Sequence, residues 1–209
     1  MLTVHHLNNS RSQRVLWLME ELELDYDIKR YQRDPETNLA PPELEAVHPL
    51  GKSPVLTDGE CTVIESGAII DYVLRIHGNG RLRPPEGSAA HEAYLQWLHY
   101  AEGSAMLPLM LKMYTARLPD GGEALQPRID GELDRHLGYL DGALAGGEWF
   151  VDDTFSGADI QLSFVAEIAP LLYSLAHFPN LAAFRERIQA RPAYRRALEK
   201  GGDYAFGPG

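Results

Sequence analysis

Cysteine is nearly missing from this chain. Cys61 stands alone among 209 residues, so no disulfide framework can form within the chain, and a reducing cytoplasmic setting is expected. Positive charge is scarce as well. Nineteen Lys and Arg face thirty Asp and Glu, a net charge of -11, the reverse of the basic footprint that phosphate backbones require, so nucleic acid is not an expected partner. The first eighty residues hold seven basic against thirteen acidic side chains and the remainder twelve against seventeen, so no basic tail hides in the average. Long apolar runs are also absent. Met106–Leu111 ends at Lys112, far below the roughly 18 apolar residues of a spanning helix, and the opening Met-Leu-Thr-Val-His-His lacks the basic start and apolar stretch of a secretion signal. No membrane is expected to be involved. What is there, 44% hydrophobic and 23% charged residues over 209 positions, is the composition of a folded chain with room for one large domain or two small ones.

The patterning divides the chain. Leu2 to His6 is β-like, and Val15, Leu18, Met19 and Leu22 recur at helical spacing before a second β-like run near Tyr26 to Tyr31, a plausible βαβ unit. Val55–Leu56 and Thr62–Ile64 flank Thr57-Asp58-Gly59-Glu60, whose Asp-Gly signals a hairpin. A helix with Ile69, Ile70, Val73 and Leu74 on one side follows. Glycines and prolines crowd 78–87, so an α/β domain over 1–80 and a linker over 81–88 are expected, then an all-helical domain over 89–209. In that second domain Ile129, Leu133, Leu137, Leu140 and Leu144 trace one stripe and Ile160, Phe164, Ile168, Leu171 and Leu175 another, with a kink at Pro170. Leu181, Phe184 and Ile188 make a shorter stripe, and Pro192 opens a last helix.

Four short segments carry chemistry. Asn8-Asn9-Ser10-Arg11-Ser12 lies between the first strand and first helix, where a hydroxyl beside free helix N–H groups would favour an anion or simply cap the helix. Gly51-Lys52-Ser53-Pro54-Val55 enters a strand; the extended residue before the proline has backbone groups that can pair with a peptide-like ligand. The Ser53–Pro54 bond reads as trans from sequence alone, because cis occurs in only about 5–6% of such bonds. Ile64-Glu65-Ser66-Gly67 joins a strand to a helix. Glu65 could hold an ammonium and Ser66 with the helix N–H groups a carboxylate, or the pair is an ordinary cap. Thr154-Phe155-Ser156-Gly157-Ala158-Asp159 has the form of a capping box, with Ser156 at the N-cap and Asp159 at N3, so both are read as structural.

In this order and spacing the four segments strongly resemble the cytosolic glutathione transferase family, over essentially the whole chain. The resemblance implies a thioredoxin-like N-terminal domain and an all-helical C-terminal domain, glutathione as co-substrate, a homodimer, and conjugation of glutathione to a small hydrophobic electrophile. It puts glutathione on Lys52, Ser53, Pro54, Glu65 and Ser66, with Pro54 cis. No tyrosine follows the first strand, and Ser10, four residues before Arg14, is similar to the catalytic serine of theta-like and phi-like members. The phrase Leu7-Asn8-Asn9-Ser10-Arg11-Ser12 most resembles a bacterial and fungal branch, in which Asn8, Asn9 or Ser12 could share or replace that role. The task is to favour thiolate over thiol: a free thiol titrates near 8.5, and donors or a helix N-terminus lower it.

The electrophile pocket is expected between the domains, walled by Tyr100, Ser104, Leu107, Met110, Leu111 and Tyr114 on the helix after the linker, although the same stripe read from sequence alone is core. Cys61 falls in the hairpin and is read as a small strand hydrophobe. His99 with Glu102, and His5 with His6, are too few ligands for a metal, and none is expected. Glutathione-dependent peroxide reduction or isomerisation is the alternative chemistry, and a non-catalytic glutathione-binding or scaffold protein the alternative from another class.

Overall fold

The computed structural model describes residues 1–208. Its packing separates two units, Met1–Arg83 with the segment from Gln189 onward, and Pro84–Ile188. The first unit is built on β1 (Leu2–Leu7), α1 (Ser12–Glu21), β2 (Tyr26–Tyr31), β3 (Val55–Asp58), β4 (Cys61–Ile64) and α2 (Ser66–His77). The sheet order is β2-β1-β3-β4, with β1 parallel to β2 and antiparallel to β3, and β3 antiparallel to β4. The Asp-Gly turn forms as expected, and Gly59 takes the left-handed φ of +58° that a tight hairpin needs. Leu7, Tyr31 and the Leu44 of a 3₁₀ turn at Pro42–Leu44 close a small core. Cys61 departs from its reading: it is exposed, because β4 is the sheet's edge strand and its first residues face solvent.

The second unit is helical: α3 (Ala89–Tyr100), a π-helical turn at Ala101–Ala105, α4 (Met106–Thr115), α5 (Gln126–Ala143), α6 (Gly157–Leu172) and α7 (Pro179–Ala190), whose end passes into the first unit. Ser88 caps α3 by accepting the His91 N–H at 3.1 Å. The α5 stripe of Ile129, Leu133, Leu137 and Leu140 is buried. In α6 burial runs without a break from Gly157 to Ala169, since the helix packs on α3 and α4. Pro170 falls in its last turn, Leu171 is exposed, and Leu175 lies beyond the helix.

The expected 89–209 domain does not hold together at its far end. Pro192 opens α8 (Pro192–Gly201), and α8 packs on α1 in the first unit. The reason is chemical complementarity with the polar side of α1. Glu20 meets Arg196 at 3.1 Å and also Lys200, Glu21 meets Arg191 at 2.6 Å, and Trp17 packs edge-on against Tyr194. Every α1 residue from Ser12 to Glu20 is thereby buried, charged ones included. Burial would raise the Glu20 carboxyl, but hydrogen bonds from Lys200, Tyr26 and Arg196 hold it below the usual range.

Candidate active site

The strand directions bring four chain segments to one end of the sheet. β1 and β4 finish there, β3 starts there, and α1 and α2 both begin there, so two helix N-termini with their free N–H groups serve the same edge. The Val55–Ile64 pair is the last rung of the hairpin. Pro54 immediately precedes and Glu65 immediately follows that rung, where the ladder ends. On the other side of β3, Ser53 Oγ donates to His5 O at 2.9 Å and accepts the Leu7 N–H at 3.3 Å, which ties Ser53 to the end of β1. The Ser53–Pro54 bond is cis, against the trans expectation from sequence alone and in agreement with what the resemblance implies. Gly51, at a φ of +56°, turns the chain just before Lys52.

Glu65 is exposed and sits at φ +66°, ψ +116°, a backbone conformation that non-glycine residues rarely adopt. Its carboxylate makes no hydrogen bond or ion pair among the described residues, while its carbonyl accepts the Ile69 N–H at 2.8 Å. Neither residue acts as an ordinary cap: Glu65 occupies the N-cap position without a side-chain bond, and Ser66 is already inside the first turn. A strained residue with an unpaired charge has no local compensation.

The turn from β1 to α1 is held by a chain of polar contacts. Ser10 Oγ lies 2.7 Å from Ser12 Oγ, and Ser12 Oγ 2.8 Å from His6 Nδ1; Ser12 Oγ also accepts the Leu7 N–H at 3.2 Å. Ser10 is 5% exposed and accepts the Ser12 N–H at 3.2 Å, so the capping use of this serine is present. His6 is 2% exposed, and burial, aided by the charge of Arg30, pushes its pKa down to about 4, which leaves one ring proton at neutral pH. A backbone hydrogen bond at Gly201 acts the other way, and Nε2 is the ring nitrogen facing Gly201, since a Cβ there would stand 3.4 Å from it. Leu7 O lies 3.2 Å from Ser12 Oγ as well, so the Ser12 proton has both Leu7 O and His6 Nδ1 within reach and the Ser10–Ser12 contact can run in either direction.

Asn8 and Asn9 are fixed differently. Asn8 continues the β1–β2 ladder by donating its N–H to Tyr31 O at 3.3 Å, and its Oδ1 accepts the Arg33 N–H at 2.8 Å. Asn9, at a left-handed φ of +49°, accepts the Ala205 N–H on Oδ1 at 2.7 Å. The Arg33 guanidinium donates to the carbonyls of Asn8, Asn9 and Asn38. Burial and the neighbouring Arg11 lower its pKa, which marks two cations close together at this turn of an otherwise acidic protein.

The remaining predicted residues lie in the second unit. Ser156 and Asp159 form the expected capping box: Asp159 Oδ2 accepts the Ser156 N–H at 2.8 Å, Oδ1 accepts the Phe150 N–H at 3.1 Å, and the Ser156 hydroxyl accepts the Ala158 N–H. Burial raises the Asp159 carboxyl to about 6 against these bonds. The proposed pocket stripe spans three elements, with Tyr100 ending α3, Ser104 in the π-helical turn and Leu107, Met110, Leu111 and Tyr114 on α4. The core reading of the stripe fails for Leu107, Leu111 and Tyr114, which are 58, 40 and 54% exposed. Tyr100 instead bonds His136 at 2.7 Å, and burial pushes its hydroxyl up to about 12. Sequence reasoning missed His6, Arg33, Gly201 and Ala205 as parts of the turn's support. Arg33 and Ala205 reach the turn over long sequence separation, and His6, though six residues from Ser12, is fixed there only by the fold.

Two family models match the chain, the glutathione S-transferase N-terminal domain over residues 1–75 and the glutathione S-transferase C-terminal domain over residues 104–192. Glutathione S-transferase 3 of Schizosaccharomyces pombe is 33% identical over 216 residues, covering 96% of this chain and 88% of the relative. A crystal structure of a glutathione S-transferase from Actinobacillus pleuropneumoniae superposes with a TM-score of 0.89 at 32% identity, over 99% of this chain and 95% of that one. A sphingomonad glutathione S-transferase in complex with glutathione gives a TM-score of 0.78 at 25% identity, over 96% and 98%. With both halves matched and a relative aligned nearly end to end, the chain belongs to the glutathione S-transferase family and is by that membership a glutathione-dependent transferase.

Proposed function

We propose that this protein binds glutathione across the sheet end described above and attacks a small hydrophobic electrophile with the ionised sulfur. In this reading the cysteinyl backbone pairs with Ser53 beside cis-Pro54. Glu65 takes the γ-glutamyl ammonium, Ser66 and the α2 N–H groups take its carboxylate, and Lys52 faces the glycine carboxylate. The sulfur then lies at the 8–12 turn, where the α1 N-terminus and the polar donors of the turn, with Ser10 expected first among them, lower its pKa from near 8.5. The thiolate forms the new C–S bond; the electron pair leaves with a displaced group, or, in conjugate addition, ends on a carbon that takes up a proton. Tyr100, Ser104, Leu107, Met110, Leu111 and Tyr114 are the residues assigned to the electrophile. The homodimeric, cytoplasmic form that the resemblance implies goes with this reading.

The supporting observation is Glu65: strained backbone, unpaired carboxylate, and a place directly after the Val55–Ile64 rung that Pro54 directly precedes. Calorimetric titration with glutathione tests it. Glu65→Ala should weaken binding about tenfold or more, the range of one charge-assisted hydrogen bond, with little change in unfolding midpoint. Undisturbed affinity refutes the assignment.

A further inference from the structure

Arg33 follows β2, on the flank of β1 away from β3, where Asn8 continues the ladder. Its guanidinium donates from Nε to Asn8 O at 3.2 Å, from Nη1 to Asn38 O at 3.0 Å and from Nη2 to Asn9 O at 3.3 Å. Three neutral carbonyls hold the group in place and leave its charge uncancelled. A guanidinium has five N–H groups, so one remains on each terminal nitrogen. The acid next along the chain is turned to its own loop: Asp34 Oδ1 accepts the N–H groups of Glu36 and Thr37 and the Thr37 hydroxyl. Elsewhere cations of this protein meet carboxylates, Arg191 on Glu21 and Lys112 on Asp130 among them. With thirty acids for nineteen bases, a fixed guanidinium facing carbonyls is not the result of a shortage of carboxylates. Burial and the neighbouring Arg11 charge already press against its ionised form, and an anion would relieve both.

The group stands beside the reacting end of the proposed site. Asn9, whose carbonyl takes the Nη2 proton, is directly followed by Ser10. Ser53 and Pro54 lie on the opposite flank of β1, with β3. There Lys52 and the α2 N-terminus account for both glutathione carboxylates in the reading above, so an anion at Arg33 belongs to the second substrate.

We propose that the electrophile is an amphipathic acid, an apolar body carrying a carboxylate or a comparable oxyanion, and that Arg33 is the residue that selects it. The inference rests on the transferase reading and names the substrate class of that same site. A net charge of -11 repels an anion at long range, so selection has to come from a fixed cation close by, sheltered enough from solvent to outweigh that field. A neutral electrophile gains nothing from it.

The test compares 4-chloro-3-nitrobenzoate with its methyl ester as electrophiles for the full-length protein, each kcat/KM divided by the uncatalysed rate with glutathione at the same pH. Both react by one displacement: the thiolate forms the C–S bond and chloride leaves with the electron pair of the C–Cl bond. Wild type should favour the acid about tenfold, as for one charge-assisted hydrogen bond, and added salt should erode that preference. Arg33→Gln should abolish it, and Arg33→Lys should keep part of it. The acid-to-ester ratio is the readout because a turn loosened by loss of the clamp slows both electrophiles alike. No preference in wild type, or a ratio unmoved in Arg33→Gln, overturns the proposal, while conjugation of the ester keeps the transferase reading standing. A raised glutathione KM at an unmoved ratio also overturns it and gives Arg33 to the glycine carboxylate of glutathione. Wild type that binds no glutathione in calorimetry, or turns over neither electrophile, takes down both readings.

Discussion

Two helix starts in this protein use the same residue types and arrive at opposite states. At Ser156–Asp159 each polar group finds a partner within a few residues: the carboxylate takes the N–H groups of Phe150 and Ser156, and the serine takes that of Ala158. At Glu65–Ser66 the carboxylate and hydroxyl find none among the described residues, and the backbone bends to a φ of +66° to present them. The first arrangement stabilises the fold and has nothing left for a ligand. The second costs stability, of order 1–3 kcal/mol for such a backbone, and keeps a charge and a hydroxyl for something else. Serine followed or preceded by an acid is therefore not one signal but two, and the direction of the bonds separates them.

The largest effect should come from breaking the satisfied start. Asp159→Ala leaves two N–H groups and a hydroxyl buried without acceptors, and should destabilise the protein by about 3 kcal/mol in urea unfolding, with activity per folded molecule retained. The same carboxyl shapes pH dependence. Its folded pKa, raised to about 6 from 3.8, means the folded state holds the proton more tightly, so this group's contribution is greatest below about pH 4 and declines as pH rises through 6. Asp159→Asn should lack that slope between pH 4 and 6.

A paired substitution sharpens the contrast. Ser156→Ala should cost about 1 kcal/mol of stability as a lost cap and leave glutathione affinity alone. Ser66→Ala should do the reverse, with stability within about 0.5 kcal/mol of wild type and glutathione bound several-fold more weakly. Equal losses of stability in both would end the distinction. The smallest effect is expected at the α1–α8 contact. Glu20→Gln weakens bonds to partly exposed Arg196 and Lys200, so about 0.5–1 kcal/mol is expected, diminishing with salt. Hydrogen exchange should quicken in residues 192–201 before it does in β1.

How much of this was legible depends on the range of the interaction. The hairpin at Asp58-Gly59, the capping box and the stripe on α5 are local patterns, fixed by turn chemistry and by a period of 3.6 residues. Ser53, Pro54, Glu65 and Ser66 could be named because their spacing resembles a known family, which also implied the cis bond that local sequence statistics did not, while the left-handed Glu65 belongs to the folded chain alone. Cys61 was misread, and the core alternative for Leu107, Leu111 and Tyr114 fails, for one reason: apolar character predicts burial only when a neighbour covers the residue.

The sequence by itself determined the elements, their order and the acidic, disulfide-free character of the chain, because propensity, turn residues and composition act over a few positions. Only the tertiary structure decided that α8 returns to the first unit to cover the polar side of α1, and that His6, Gly201 and Ala205 meet the 8–12 turn. It also decided which polar partners surround the hydroxyls and amides of that turn. A hydroxyl has one proton, and where that proton points depends on neighbours up to two hundred positions away along the chain.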